Sequence, residues 1–554
     1  MKFAGRKIRW TGAFFAVAVA VLAAGAVWVT GGGTRTALAD TATTSCAQGT
    51  DVAIDSGPIC GLTVNGTNEW LGIPYAAPPV GSLRWQPPQP PTPWTSTLQA
   101  TQFGSACTQG AANPPAGSEN CLFVNVWAPA DGSTDLPVLV HIHGGGFVGG
   151  SGNGDNSLLS STGHEVVVSM NYRLGIFGFL ADKDLGSNSG DYGLQDQQAA
   201  LAWVRRNVSQ FGGDPSNVTI YGESAGGSSV CDEIASPTAK GLFERGISVS
   251  GEYNTLLGAP NSLEQQDCKS QVPTQAQADA AGKNFAAAVG CGKGTADVAS
   301  CLRNIPATTA QTAAGGGVVG GFFPVGYQDG GQGTVGPTIN GTTLTMTLRQ
   351  ALASGRANRV DVIEGTDRDE NLVGTASTAA QYTSLVDTQY GSFASQVLAK
   401  YPLSRFDNPG VAWRTVAADS DTVCPALTTG ADLASRMPTR EYEIDDNDIP
   451  PYRASGTGVV AGGASHVGAW FLTPQATPLD ANQQVLQDQE LAFVTGFARN
   501  GDPNATGTPE WPKLNNSDQV MSLQPAGDSE LVTTEQMAAQ HNCAFWDRVA
   551  RQAP

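Results

Sequence analysis

Apolar and polar positions along the 554-residue chain fall into two repeating patterns, one of buried strands and one of amphipathic helices. Leu136 to His143 and Val166 to Met170 are nearly continuous apolar runs, as expected of strands covered on both faces of a parallel sheet. Cys121 to Trp127 alternates, and Asn217 to Tyr221, Gly246 to Ser250, Arg359 to Glu364 and Glu441 to Ile444 predict further strands. Leu194 to Val208 has helical spacing, with Leu201, Val204 and Val208 on one side. Leu344 to Ser354, Gln484 to Ala498 and Thr534 to Arg551 predict additional helices. Asp51 to Gly66 suggests a hairpin, and the proline-rich Pro78 to Trp94 an extended surface strap. Pro260 to Gly336 is less regular. Within it, the glycine-rich Gly315 to Gly336, with Phe322, Phe323 and Tyr327, reads equally as a surface loop or as the mouth of a pocket. No internal repeat is visible. Alternating strands and helices of this kind predict an α/β fold, a mostly parallel twisted sheet flanked by helices.

One stretch stands at a junction of these patterns. Gly222-Glu223-Ser224-Ala225-Gly226-Gly227 follows an apolar strand and precedes Ser228 to Ala235, which can continue as a helix. Strand, tight turn and helix in that order form a nucleophile elbow, with glycines permitting the sharp turn and the close packing of helix on strand. Ser224 then sits at a helix N-terminus, where free N–H groups favour developing negative charge. A serine hydroxyl needs a base, and a carboxylate to orient that base. The chain has five histidines, and the order serine, acid, histidine leaves His466 and His541. His466 lies in the turn Ala461-Gly462-Gly463-Ala464-Ser465-His466 after a late strand and is the expected base; His541, on the C-terminal helix near Cys543, reads as a surface position. Asp367, Asp369 and Glu370 cluster after the Arg359–Glu364 strand, and spacing leaves the acid open among them. Gly144, Gly145 and Gly146, directly after a buried strand, can present bare N–H groups to an oxyanion, and Ala225 adds another. His141 and His143 alternate on one strand, but no third metal ligand follows, so no metal site is expected.

Composition sets the compartment. Lys2 to Arg9 precede the apolar run Ala13 to Val29, and Ala37-Leu38-Ala39 offers a small-residue cleavage site, so residues 1–39 read as a secretory signal removed near Ala39. The mature chain, 40–554, is expected to be one α/β-hydrolase domain, secreted and not held in a membrane. Residues 1–39 carry five basic residues and no acid, so their removal takes the net charge from −19 to −24. That balance disfavours nucleic acid and anionic membranes as partners. Ten cysteines in an exported chain imply disulfides, and Cys46/Cys60, Cys107/Cys121 and Cys291/Cys301 bracket short loops. Cys231, Cys268, Cys424 and Cys543 are not paired by spacing alone.

With these residues assembled, the chain resembles the carboxylesterase type-B family of α/β-hydrolases, which includes cholinesterases and several lipases. The landmarks run from about Gly61 to Arg551. They include Gly72-Ile73-Pro74-Tyr75-Ala76, Glu119 to Trp127, His143 to Phe147, Asn171-Tyr172-Arg173-Leu174-Gly175, Gly193 to Gln197, Phe211 to Pro215, Gly222 to Gly227 and Phe497 to Asn504. The resemblance implies Ser224 as nucleophile, His466 as base and Glu370, after Asp369, as the acid, with Asn371 where the family has glycine. It implies Gly145, Gly146 and Ala225 as oxyanion donors, and Glu223 and Ser250 as residues around the triad. It implies the disulfides Cys107–Cys121, Cys291–Cys301 and Cys424–Cys543; Cys46–Cys60 and Cys231–Cys268 then follow by proximity and elimination. The implied activity is hydrolysis of a small-molecule carboxylic ester through an acyl-enzyme, without a cofactor. The alternatives are a lipase for long acyl chains and a non-catalytic binding member of the fold. The loop Thr108 to Asn120 holds no aromatic residue, so a choline-ester specialist is not implied.

Overall fold

The computed structural model describes residues 45–110, 115–252, 268, 272–314, 336–370, 376–446, 472 and 478–552. The export segment 1–39, all of the glycine-rich stretch except Gly336, Asn371 and the turn carrying His466 lie outside the described residues. The strands in chain order are β1 (Val52–Ile54), β2 (Gly57–Cys60), β3 (Leu62–Val64), β4 (Thr67–Pro74), β5 (Leu98–Gln99), β6 (Phe123–Pro129) and β7 (Leu136–Ile142). They continue with β8 (Val166–Met170), β9 (Gly213–Glu223), β10 (Arg245–Val249), β11 (Asp361–Asp367), β12 (Thr439–Ile444), β13 (Gln519–Leu523) and β14 (Glu530–Thr533). β1, β2 and β5 make a small separate sheet; the rest form one eleven-stranded sheet in the order β14-β13-β12-β11-β10-β9-β7-β8-β6-β4-β3.

From β8 to β13 every neighbouring pair is parallel, and the antiparallel pairs sit at the two ends. The C-terminal ends of β7, β9, β10, β11 and β12 therefore lie along one edge, where open α/β sheets place their sites. Period-two alternation divides the strand side chains between two cores. Val138, Val140, Ile142, Val218 and Ile220 pack with Leu201 and Val204 of helix Tyr192–Asn207 and with Val230 and Ile234 of helix Ala225–Ala235. Leu139, Tyr221, Ile247 and Ile363 face the other way, onto Leu486, Phe493 and Phe497 of helix Ala481–Asn500. Each such fully buried aliphatic side chain contributes about 1.5–3 kcal/mol.

Three expectations are corrected. The strand expected to end at Glu364 runs on to Asp367, because Asp367 pairs with Ile444 in the β12 register. The irregular middle contains helices Gln275–Ala288, Val298–Asn304 and Ala307–Ala313. Their apolar faces are thin: Ala278, Phe285 and Leu302 are buried among many alanines, which leaves a weak periodic signal. The expected helix Thr534–Arg551 is two helices, Thr534–Gln540 and Cys543–Gln552, broken where Asn542 adopts φ 56°. All five disulfides pair as read: Cys46–Cys60, Cys107–Cys121, Cys231–Cys268, Cys291–Cys301 and Cys424–Cys543, with Cα separations of 4.9 to 6.0 Å.

Candidate active site

Ser224 links β9 to helix Ala225–Ala235 at φ 59° and ψ −124°, a left-handed conformation for a residue with a side chain. Such strain costs on the order of 1–3 kcal/mol and persists only where the surroundings hold it. They hold it here by backbone bonds and by the absence of side chains. The Ser224 N–H donates to the Val249 carbonyl at 2.9 Å, and the Ser228 N–H to the Ser224 carbonyl at 2.9 Å. A Cβ on Gly222 would come within 2.5 Å of the Gly226 carbonyl carbon, and one on Gly227 within 2.8 Å of the Val249 oxygen. The serine is buried, and its hydroxyl does not cap its own helix.

The turn after β7 passes directly beside it. A Cβ on Gly144 would sit 3.2 Å from the Ser224 Cβ and 3.2 Å from an Oε of Glu223, so only glycine allows this approach. Gly145 (φ 111°) and Gly146 (φ 61°) follow, and the Gly145 carbonyl accepts from Val148 and Gly149, each at 3.0 Å. Among the described residues, the N–H groups of Gly145, Gly146 and Ala225 have no acceptor. His143 fixes the start of this turn. Its ring stacks on Tyr172 at 4.3 Å, its Nδ1 lies 2.8 Å from the Gly144 carbonyl, and its own carbonyl accepts from the Tyr172 hydroxyl at 2.7 Å. Burial pushes its pKa down to about 4, so the ring is neutral and Nδ1–H donates to Gly144. His141 stacks on Tyr221 at 4.9 Å, and burial, then the neighbouring His143, pushes it down to about 3. In the sequence these histidines read as possible metal ligands, and His143 as the start of a family landmark, but not as the anchor of the glycine turn; its place just before three glycines was the available signal.

The three candidate acids occupy different surroundings. Asp367 closes β11 fully buried, and neither carboxyl oxygen has a hydrogen-bond partner among the described residues. Burial first, then Glu370 and Glu223, raises its pKa well above the usual carboxylate range. Asp369 accepts two bonds from the Arg368 guanidinium, at 2.6 and 2.8 Å, and Arg368 also pairs with Asp445. Glu370, at the start of the following loop, is buried. His466, the expected base, lies outside the described residues. Ser250, at φ 47°, donates its N–H to Gly365 at 2.8 Å and its hydroxyl to Thr366 at 3.3 Å. His541, expected on the surface, is buried between Asp419 and Glu443 of β12. The helix break at Asn542 turns it inward.

More carboxyls line this region than the sequence reading singled out. Ser248 of β10, Glu364 of β11 and Glu441 of β12 stand in one register row, and Glu252 joins them; all four are buried. Burial and then Glu252 raise the pKa of Glu364, and burial and then Glu252 that of Glu441. A glutamate inside an otherwise apolar strand, as in Val362-Ile363-Glu364-Gly365, was the overlooked sign. The Cys231–Cys268 disulfide lies next to Glu364.

The model of the Carboxylesterase family matches residues 48–546. Para-nitrobenzyl esterase of Bacillus subtilis (strain 168) is 39% identical over 336 residues, which are 58% of this chain and 63%, under two thirds, of that protein. Carboxylesterase 1F of Mus musculus is 31% identical over 531 residues, 88% of this chain and 90% of its own. Among solved structures, a PNB esterase superposes with a TM-score of 0.71 at 28% identity, over 89% of this chain and 99% of that one.

Proposed function

The chain belongs to the carboxylesterase family and is a carboxylic ester hydrolase, and from that premise we propose a secreted serine esterase working through Ser224, His466 and Glu370. In this reading the Ser224 hydroxyl attacks the ester carbonyl while His466 takes its proton and Glu370 orients the imidazole. The tetrahedral oxyanion receives the N–H groups of Gly145, Gly146 and Ala225; each such donor is worth about 10²–10³ in rate. Collapse expels the alcohol, protonated by His466, and water releases the acid from the acyl-enzyme by the same path reversed. Glu223 and Ser250 support the two turns.

The observation that supports this reading is the strained Ser224 turn lying against Gly144 to Gly146, beside N–H groups that have no acceptor among the described residues. The engagement of Asp369 by Arg368, and the burial of Asp367 without a hydrogen-bond partner among the described residues, favour Glu370 as the acid. Five disulfides and the basic-then-apolar start of the chain support cleavage near Ala39 and export of 40–554 as one catalytic unit.

A fluorophosphonate trap followed by intact mass measurement tests the nucleophile. One adduct is expected on the wild type and none on Ser224→Ala, with turnover of p-nitrophenyl acetate falling by roughly 10⁴-fold or more. An unlabelled, well-folded wild type would overturn the reading. The same esters with long acyl chains separate a lipase: a jump in rate above the aggregation limit of the substrate marks interfacial activation, and simple saturation marks an esterase.

A further inference from the structure

His541 has a built environment that ester hydrolysis, as read above, does not use. Its Nδ1 lies 2.6 Å from Asp419 and its Nε2 2.7 Å from Glu443, and all three residues are buried. The Asp419 side is completed by the Tyr401 hydroxyl, donating at 2.7 Å, and by Asn542 at 3.3 Å; Trp546 donates in turn to the Tyr401 oxygen at 2.8 Å. The frame is covalent as well. Cys424, five residues after Asp419, is bonded to Cys543, two residues after His541.

The Glu443 side leads toward the reaction. Glu443 is in β12, in register with Thr366 of β11, and Thr366 accepts from the Ser250 hydroxyl at 3.3 Å. β11 then delivers Asp367 and, three residues on, Glu370. The strand ends around this point are crowded with acids: Asp367, Asp369, Glu370, Glu443 and Asp445. Arg368 serves Asp369 and Asp445. Among the described residues, the ion pair of Glu443 is with His541.

We propose that His541 is a positioning residue for ester hydrolysis: a buried imidazolium that holds the end of β12 through Glu443 and supplies counter-charge to the acid-rich strand ends just before Glu370. The groups facing it are Asp419 from the π-helical segment Asp419–Val423 before Cys424, Glu443 of β12 and Asp445 just after that strand, and Tyr401 and Asn542 through Asp419. Burial alone would push the imidazole down, but Glu443 and Asp419 outweigh it and raise its pKa to about 10. It stays charged throughout the working range of a histidine base.

The proposal rests on Glu370 and His466 as acid and base, so the test measures kcat/KM against pH for molecules counted by the serine trap. Removing the His541 charge makes the site more negative and favours a protonated base. His541→Gln is expected to move the acid limb up by about one pH unit and to lower kcat at pH 7 by roughly threefold, with KM little changed. Glu443→Gln removes the opposite charge and should move the limb down. The double variant Glu443→Gln/His541→Gln removes both and should return the limb to the wild-type position even if its melting temperature falls. Limbs that superimpose in all variants that take up the trap would make His541 a structural residue only and overturn the proposal. If His541→Gln does not fold, the direction of the Glu443→Gln shift decides alone, and an upward or absent shift overturns it. Failure of the trap to label the wild type would instead overturn the Ser224 reading.

Discussion

The β7–β9 side of the sheet and the β11–β12 side treat a buried histidine in opposite ways. His143, on the first side, faces Tyr172 and a backbone carbonyl, and burial holds it neutral with a pKa near 4. His541, on the second, is just as buried but meets two carboxylates and stays charged to about 10. Burial penalises charge in both places; what differs is whether opposite charge is within contact distance. The first side gains a rigid neutral donor for the glycine turn beside Ser224. The second gains a cation in the middle of an acid-rich strand edge.

Replacing each histidine should separate the two strategies. His541→Leu leaves Asp419 and Glu443 buried without their cation and is expected to cost about 3–5 kcal/mol in urea unfolding. His143→Leu removes a neutral hydrogen bond and some packing, with an expected cost of about 1–2 kcal/mol. Equal losses would erase the distinction between them.

Stability against pH sharpens the same comparison. The raised pKa of His541 means that its contribution is complete below 6.5 and disappears as pH climbs through about 10. Glu165, which burial pushes up to about 8, loses its contribution as pH rises from 4.5 through 8. Both slopes point the same way above neutrality, so the unfolding midpoint should fall steadily from pH 6.5 to 10, and His541→Gln should flatten that fall. On the acid side, His143 and His141 are depressed, so their contribution is present above 6.5 and drains away as pH drops toward about 4 and 3. There the raised carboxyls Glu364, Glu441 and Asp367 act in the opposite sense, which predicts a shallow acid limb. His164 is the control: half exposed, 3.7 Å from a surface Asp131, it should leave the unfolding midpoint unchanged when replaced by alanine.

The regions differed equally in how much could be read before the fold was known. The Ser224 turn is local: glycines at 222, 226 and 227 are required by atoms only a few residues away or one strand over, and their spacing announces the geometry. Disulfides over short loops were legible for the same reason. The His541 environment is assembled from residues about 100 positions apart, and its polar residues resemble surface ones until Asn542 turns the chain inward. Asp367 was legible as a candidate acid, but its place inside the strand was hidden because β11 runs three residues past the expected end, and Glu364 was hidden by sitting as one acid among apolar neighbours. The helices between 275 and 313 bury few side chains larger than alanine, which gives hydropathy little to distinguish. What escaped the sequence is chiefly the placement of buried charge, because neighbours in sequence do not determine its partners.

The Cys424–Cys543 bond closes a ring of chain with a sequence separation of 119 residues, and that ring includes β12, β13, β14, helix Ala481–Asn500 and the position of His466. A peptide bond cut anywhere inside it leaves two pieces still joined through sulfur. A nicked molecule would keep its mass apart from one added water, travel as one species until reduced, and retain the reach needed to re-form the strand pairs on either side of the cut.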